Sequence, residues 1–148
     1  MLNYTFKDGF REGVVFAFYQ EGEILIETRP TVEGKKEVFF PSGSIEDKDY
    51  KETDYKVGAM YREVEEEFKG NIEILKHSYL GCLKVKEISV IFYIYLITEW
   101  KGEMPKYIEE IGENPSELKW INLECEDDYF KFDSAFEITS MIKKYLKE

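Results

Sequence analysis

The sequence is poor in cysteine and histidine, and this scarcity argues against several kinds of metal and redox site. Cys82 and Cys125 are its only cysteines; they are far apart, and neither belongs to a C-x-x-C pair. This spacing favours two reduced thiols over a disulfide or a thiolate metal site. His77 is the only histidine. Because it falls in a predicted strand, a structural role is favoured over a catalytic one.

Long apolar runs and clusters of positive charge are also missing. No apolar segment reaches the ~18 uninterrupted residues of a membrane-spanning helix. The opening "MLNYTFKDGF" lacks the basic patch and apolar stretch of a secretory signal. Lys and Arg number 20 against 31 Asp and Glu, a net charge of −11 that opposes binding to a nucleic-acid backbone. We therefore expect a cytoplasmic protein that binds neither nucleic acid nor membrane.

The sequence does contain enough apolar material for one core. Of its 148 residues, 43% are hydrophobic and 16% are aromatic. A chain of this length and composition is typical of one compact domain. We therefore predict a single domain over residues 1–148.

Runs of β-branched and aromatic residues alternate with helical patterns along the chain. "GVVFAFY" and "ILIETR" flank a turn at Gly22, which predicts a hairpin. Further strands are predicted at "EVFF", "NIEILKHSYLGCLKV", "ISVIFYIYLITEW" and "ELKWINL". The tail "DSAFEITSMIKKYLKE" predicts an amphipathic helix with Ser134 and Glu137 at capping-box spacing. The order indicates an α/β fold, in which helices pack on a mixed sheet.

A second helix is predicted in the most acidic part of the chain. Its buried stripe recurs at steps of three and four residues and consists of Val57, Met60, Tyr61, Val64 and Phe68. Thr53 or Asp54 can cap the start, and Gly70 can take the left-handed conformation that ends the helix.

Glu63, Glu66 and Glu67 stand at i, i+3 and i+4 on one face of this helix. Three carboxylates at this spacing offer hard oxygen ligands to Mg²⁺ or Mn²⁺. The alternative is a solvated acidic face, because like charges at this spacing cost only ~0.2–0.5 kcal/mol per pair when exposed.

The segment "FFPSGSIEDKDYKETDYKVGAMYREVEEEFKG" resembles the Nudix box of the Nudix hydrolase superfamily, whose members include MutT. That motif is a glycine, five residues, a glutamate, seven residues, and then Arg-Glu-apolar-any-Glu-Glu-any-Gly-apolar. Gly43 matches the first glycine, and "REVEEE" supplies the arginine and glutamates in register from Arg62. Ala59 matches the small residue commonly found three positions before the arginine.

The segment departs from the motif at three positions. Counting back from Arg62 places Asp54 where the family has its first glutamate, with Glu52 as an alternative. Ten residues then separate Gly43 from Asp54, so the Gly43–Asp54 loop is predicted to be longer than in the family. Lys69 stands in place of the last glycine, and Gly70 follows one residue late, which predicts a helix end shifted by one residue.

The resemblance implies an α/β/α sandwich with a mixed sheet and a hydrolase that splits a phosphoanhydride in a nucleoside diphosphate linked to another group. Glu63, Glu66 and Glu67 would bind Mg²⁺ or Mn²⁺. Arg62 would pair with Asp54 or Glu52 and orient the helix and loop.

The resemblance also suggests roles for residues outside the motif. One glutamate of the helix, with Glu66 a candidate, or a carboxylate of the later loop, Glu110 or Glu113, would act as general base. Arg29 matches a position that often faces substrate phosphates. A nucleoside triphosphate or related nucleotide is the expected substrate, and the chain is expected to be a monomer or a homodimer. The alternative is a Nudix-fold module that binds a nucleotide without turnover, which the lengthened loop favours.

Overall fold

The computed structural model describes residues 3–30, 36–51, 53–108 and 115–148. Within these ranges it has nine strands, two α-helices and three 3-10 helices. The strands are β1 (Phe6–Lys7), β2 (Phe10–Gln20), β3 (Glu23–Pro30), β4 (Lys36–Phe39), β5 (Ser42–Ser44), β6 (Glu73–Val85), β7 (Val90–Lys101), β8 (Tyr107–Ile108) and β9 (Ser116–Asn122). The helices are α1 (Tyr55–Glu67) and α2 (Asp133–Lys147), and the 3-10 helices are Asp47–Lys51, Lys86–Ile88 and Leu123–Asp128.

The strands form one mixed sheet. Its main path has the order β6-β7-β2-β3-β9-β8, with β1 and β5 also paired with β2 and with β4 paired with β3. The central pair, β2 and β7, is parallel, and the neighbouring pairs are antiparallel. This arrangement confirms the mixed sheet predicted from the sequence.

The predicted hairpin is present. β2 and β3 meet at the pairs Tyr19–Ile24 and Gln20–Glu23, and the two turn residues, Glu21 and Gly22, both have positive φ. Two left-handed residues give the turn that matches the twist of antiparallel strands.

The two helices cover opposite faces of the sheet. On one face Phe16 and Phe18 of β2 belong to the same core cluster as Met60 and Val64 of α1. On the other face Val15 and Ala17 of β2 share a cluster with Ile138 and Ile142 of α2. Because alternate residues of a strand point to opposite faces, β2 is buried on both sides. The result is the predicted α/β/α sandwich.

The predicted capping box of α2 is wrong. The helix begins at Asp133 with Phe132 as its N-cap residue, and no side chain caps it. Ser134 is therefore already inside the first turn and cannot serve as the cap. On this amphipathic helix Ile142 is buried, whereas Tyr145 and Leu146 in the last turn are exposed. No helix within the described ranges is long and apolar enough to cross a bilayer.

Candidate active site

Helix α1 begins at the N-cap residue that its sequence predicts. The Asp54 carboxylate accepts hydrogen bonds from the backbone N–H groups of Lys56 and Val57, at 3.1 and 3.4 Å. At the other end Gly70 has a φ of 75°, and its N–H donates to the Glu65 carbonyl. Capping at both ends satisfies backbone groups that a helix leaves unpaired.

Two details of α1 differ from the prediction. Tyr61 is not part of the buried stripe: it is 40% exposed, and its ring lies edge-on against His77 of β6. Lys69 has a φ of 50°, so the lysine itself adopts the left-handed conformation where the motif has glycine. The end of α1 is therefore not displaced by one residue.

Arg62 is the centre of a dense ionic network. Its Nε and Nη2 atoms each donate to one oxygen of Asp49, both at 2.8 Å, and Nη2 also donates to the Ser44 carbonyl at 3.0 Å. Its Nη1 atom lies 2.9 Å from Glu46, 2.9 Å from Glu63 and 3.1 Å from Glu66. The bidentate pairing with Asp49 fixes the guanidinium plane, so this one arginine joins the 3-10 helix Asp47–Lys51 to α1.

The predicted partner of Arg62 is therefore corrected from Asp54 to Asp49, because Asp54 caps α1 instead. The other predicted partner, Glu52, lies outside the described residues. Gly43 and Asp49 are separated by five residues, which is the spacing of the Nudix motif. The extra residues thus lie between Asp49 and Arg62, where twelve stand in place of seven. Counting back from Arg62 across this insertion produced the wrong register.

Carboxylates converge beside Arg62. Glu46, Glu63 and Glu66 each place one carboxylate oxygen within 4.8 Å of the others. Glu46 was not among the predicted residues. It lies between Gly43 and Asp49, and only the register that takes Asp49 as the first acid of the motif would have singled it out. Among the described residues, Glu67 does not belong to this group. Its predicted metal-binding role stays a prediction.

Glu63 is packed tightly against the strand that carries the motif glycine. A Cβ atom on Gly43 would lie 2.2 Å from the Glu63 Cδ atom, so only glycine leaves room for this carboxylate. Burial raises the pKa of Glu63 to about 7, and the neighbouring Glu66 and Glu46 act in the same direction against the lowering effect of Arg62.

Asp49 behaves in the opposite way. Burial alone would raise its pKa, but hydrogen bonds from Arg62 and from the Glu46 N–H outweigh burial and lower it. Asp49 is therefore held as an anion that anchors Arg62.

The donor set fits a divalent cation. The three converging side chains offer only carboxylate oxygens, the ligands that Mg²⁺ and Mn²⁺ prefer. Two cationic groups already lie among them: Arg62, and Lys48, whose Nζ is 3.5 Å from Glu46 and 3.9 Å from Glu66. The carboxylate cluster therefore already interacts with positively charged groups. Glu46, Glu63 and Glu66 could hold the metal.

An aromatic cavity lies on the α2 face of the sheet, on the opposite side of β5 from the carboxylate cluster. Ser42 of β5 lines it, one residue before the glycine that contacts Glu63. The Phe39 and Phe132 rings stack in its wall with centroids 5.4 Å apart. Its other lining residues include Val38, Phe40, Phe92 and Ser134. The cavity is apolar, as most ligand pockets are, but its volume of about 60 Å³ is small beside the ~300–1,000 Å³ that is usual for them.

Arg29 lies at the edge of this cavity. Its guanidinium is 5.3 Å from the centre of the Phe39 ring, and its Nε donates to Glu27 at 2.6 Å. The structure therefore places Arg29 beside the cavity and leaves its predicted role toward phosphates as a prediction. The two predicted loop acids, Glu110 and Glu113, lie outside the described residues.

Known structures share this architecture. A crystal structure of an ADP compounds hydrolase superimposes with a TM-score of 0.69 at 17% identity, covering 92% of this chain and 72% of that one. A MutT structure from work on Aliivibrio salmonicida and Vibrio cholerae gives 0.63 at 21% identity, covering 90% and 97%. A MutT Nudix hydrolase from Burkholderia pseudomallei gives 0.62 at 20% identity, covering 89% and 97%. Neither a protein-family model nor a curated protein matches the sequence.

The sandwich and its loop-helix segment define a class of protein. The fold is that of the Nudix hydrolases. MutT structures share this fold, in agreement with the resemblance of the motif. At these identities the likeness shows the fold alone, because one fold can host many different chemistries.

Proposed function

We propose that the protein is a metal-dependent pyrophosphohydrolase of the Nudix type. It would cleave a phosphoanhydride in a nucleoside diphosphate linked to another group, with a nucleoside triphosphate or related nucleotide as substrate. The structural neighbours are Nudix hydrolases, which supports a hydrolase in general.

The convergence of Glu46, Glu63 and Glu66 around Arg62 is the observation that carries the proposal. Crowding four ionic groups in a partly buried place costs free energy that a purely structural surface would avoid. The arrangement is explained if the carboxylates bind a cation that a polyanionic substrate also needs.

The residues divide the chemistry among them. Glu46, Glu63 and Glu66 would hold Mg²⁺ or Mn²⁺, with Glu67 a further predicted ligand. The bound cation would neutralise charge on the pyrophosphate and make a water molecule more acidic. Asp49 and Arg62 would keep the carboxylates in place, while the base that accepts a proton from water would be Glu66, Glu110 or Glu113.

The aromatic cavity supports a nucleoside as part of the substrate. Ser42 lines the cavity, and the next residue of β5, Gly43, contacts Glu63 on the opposite side of the strand. A base stacked on the exposed Phe132 ring would lie beside this strand, and its phosphates would pass the strand to reach the carboxylate cluster. Arg29 at the cavity edge would contribute a positive charge to those phosphates.

Phosphate and pyrophosphate release from a panel of nucleotides tests this function. The panel holds nucleoside triphosphates, nucleotide sugars, ADP-ribose and dinucleoside polyphosphates, each assayed with Mg²⁺, with Mn²⁺ and with chelator. We expect turnover of one class, lost with chelator and reduced by about 10²-fold or more in Glu63→Gln and Glu66→Gln. Glu65→Gln is the matched control, because Glu65 is exposed on the same helix outside the converging group.

Two results would contradict the proposal. Wild-type activity in both Glu63→Gln and Glu66→Gln would remove these residues from the site. Nucleotide binding by calorimetry without any turnover would favour the binding module that keeps the fold and lacks the reaction.

A further inference from the structure

A second buried carboxylate lies under the start of α1. Glu12 of β2 is only 1% exposed, yet its carboxylate accepts four hydrogen bonds. Thr5 and Tyr50 donate to Oε1 at 2.8 and 2.7 Å, and Tyr55 and Tyr93 donate to Oε2 at 2.6 and 2.5 Å. Four hydroxyl donors satisfy this carboxylate and offset the free-energy cost of burying it.

The four donors come from distinct parts of the fold. Thr5 belongs to the N-terminal segment and Tyr93 to β7, so these two hold Glu12 against the sheet. Tyr50 and Tyr55 come from the lengthened segment between Asp49 and Arg62: Tyr50 is its first residue, and Tyr55, in its middle, begins α1. Their rings also touch each other, with centroids 4.4 Å apart. One carboxylate thus fixes the segment that departs from the spacing of the Nudix motif.

The backbone of Glu12 fixes the other side of the same loop. Its carbonyl accepts a hydrogen bond from the Ile45 N–H at 3.0 Å, directly before Glu46. Tyr50, held by its side chain, directly follows Asp49. The four residues from Glu46 to Asp49 therefore lie between two attachments to one residue of the sheet. Within them, the Glu46 N–H donates to Asp49 at 2.9 Å.

We propose that Glu12 is a positioning residue: through Tyr50 and Tyr55 it holds the lengthened segment so that Asp49 keeps its two bonds to Arg62. Arg62 in turn holds the Glu46, Glu63 and Glu66 carboxylates in register. Glu12 itself touches none of these carboxylates in the contacts described above. Only the kinetic test of this inference rests on the proposed function.

Tyr50→Phe is the most selective test. Tyr50 is 48% exposed, so removing its hydroxyl leaves the ring contact with Tyr55 and creates no buried cavity. Tyr145→Phe is the matched control, because the Tyr145 hydroxyl also makes one hydrogen bond, to Ser78 at 2.7 Å, between α2 and β6. The first measurement is the exchange rate of the Arg62 Nε–H with solvent by NMR, in protein without metal. The second is the dissociation constant of Mn²⁺ alone.

We expect Tyr50→Phe to speed exchange of the Arg62 Nε–H and to weaken Mn²⁺ binding, each by about three- to tenfold, the size of one ordinary hydrogen bond. Tyr50→Phe with Tyr55→Phe should increase both effects, and Tyr145→Phe should change neither. If nucleotides are turned over, kcat should fall while KM changes little.

The inference is overturned if Arg62 exchange and Mn²⁺ affinity stay at wild-type values in both Tyr50→Phe and the double variant. Its failure is distinct from failure of the proposed function. Faster Arg62 exchange in a protein that hydrolyses no nucleotide would uphold the positioning role and reject the enzyme. Normal hydrolysis with unchanged exchange would do the reverse.

Discussion

The two faces of the sheet bury different kinds of side chain. On the α1 face, Glu12 and Glu63 are buried carboxylates held by hydroxyl or guanidinium groups. On the α2 face the core is apolar and aromatic, and Thr139, whose hydroxyl donates to the Ala135 carbonyl, is a buried polar residue there. Both faces pack an apolar core, but the α1 face adds buried carboxylates that are paired with polar groups. Changes on the α1 face should be costly and specific, because each leaves a charged partner buried.

Arg62→Ala should have the largest effect. It leaves Asp49 and Glu63 buried without their cation, which typically costs ~3–5 kcal/mol of unfolding free energy. Urea unfolding measures the loss. If this variant does not fold, Arg62→Lys tests the same pairing, because lysine has one nitrogen and cannot make the bidentate hydrogen bonds to Asp49.

Lys143→Ala is the control on the other face. Lys143 of α2 pairs with Glu126 at 3.2 Å and with the exposed Glu124 at 3.7 Å. Pairs of this kind contribute about 1 kcal/mol or less. Equal losses in Arg62→Ala and Lys143→Ala would contradict the contrast between the faces.

Glu12→Gln should be the next most destabilising change, at about 2–3 kcal/mol near neutral pH, because an amide accepts at one oxygen only. Burial raises the pKa of Glu12, but hydrogen bonds from Tyr55, Tyr93, Tyr50 and Thr5 outweigh burial and lower it below 4.5. A lowered pKa adds stability above the ordinary value, and this stability is lost as the pH falls through the folded-state pKa. The difference from wild type should therefore shrink below about pH 4.5.

Urea unfolding of wild type and Glu12→Gln at several pH values checks this dependence. Glu137→Gln, on the exposed side of α2, is the control and should change the unfolding free energy by less than ~0.5 kcal/mol at any pH. A difference for Glu12→Gln that grows toward acid would show that the folded protein does not favour its anion.

The contrast between the faces also explains what could be predicted from the sequence. The hairpin at Gly22, the strand β7 and the helix α1 follow from local patterns of apolar residues. Arg62 and Glu63 follow from the motif. The partner of Arg62 does not, because the five acids from residue 46 to residue 54 offer competing registers and only the folded loop selects Asp49.

Contacts between residues that are distant in the sequence could not be predicted from it. The Glu12 cluster joins residues 5, 12, 50, 55 and 93, and no local pattern links them. The aromatic cavity likewise combines rings from β4, β7 and the start of α2. In the Glu12 cluster and in the cavity, strand order and helix placement decide which residues are neighbours. The sequence indicates the class of fold but not this detailed arrangement.

Phe132→Ala tests the packed face through binding and should leave stability nearly unchanged, since Phe132 is 41% exposed. If its ring stacks on the nucleobase, KM for the substrate should rise by about five- to a hundredfold, the equivalent of one stacking contact. The Mn²⁺ affinity should not change, because the carboxylates lie on the other face. Leu75→Ala is the control, because Leu75 of β6 is also a half-exposed apolar residue. A change in metal affinity without a change in KM would contradict the separation of the two faces.

Lys69→Gly should have the smallest effect, and it should be stabilising. Lys69 holds a φ of 50° directly after the end of α1, where a Cβ atom costs ~1–2 kcal/mol. Glycine removes this cost but also gives the unfolded chain more freedom, which offsets ~0.4–1 kcal/mol. We therefore expect a net gain of ~0.5 kcal/mol, measured by urea unfolding. Gly70→Ala, at a φ of 75°, should lose ~1 kcal/mol. A loss in both variants would mean that the Lys69 side chain makes a stabilising contact larger than its backbone cost, and that this end of α1 also depends on polar pairing.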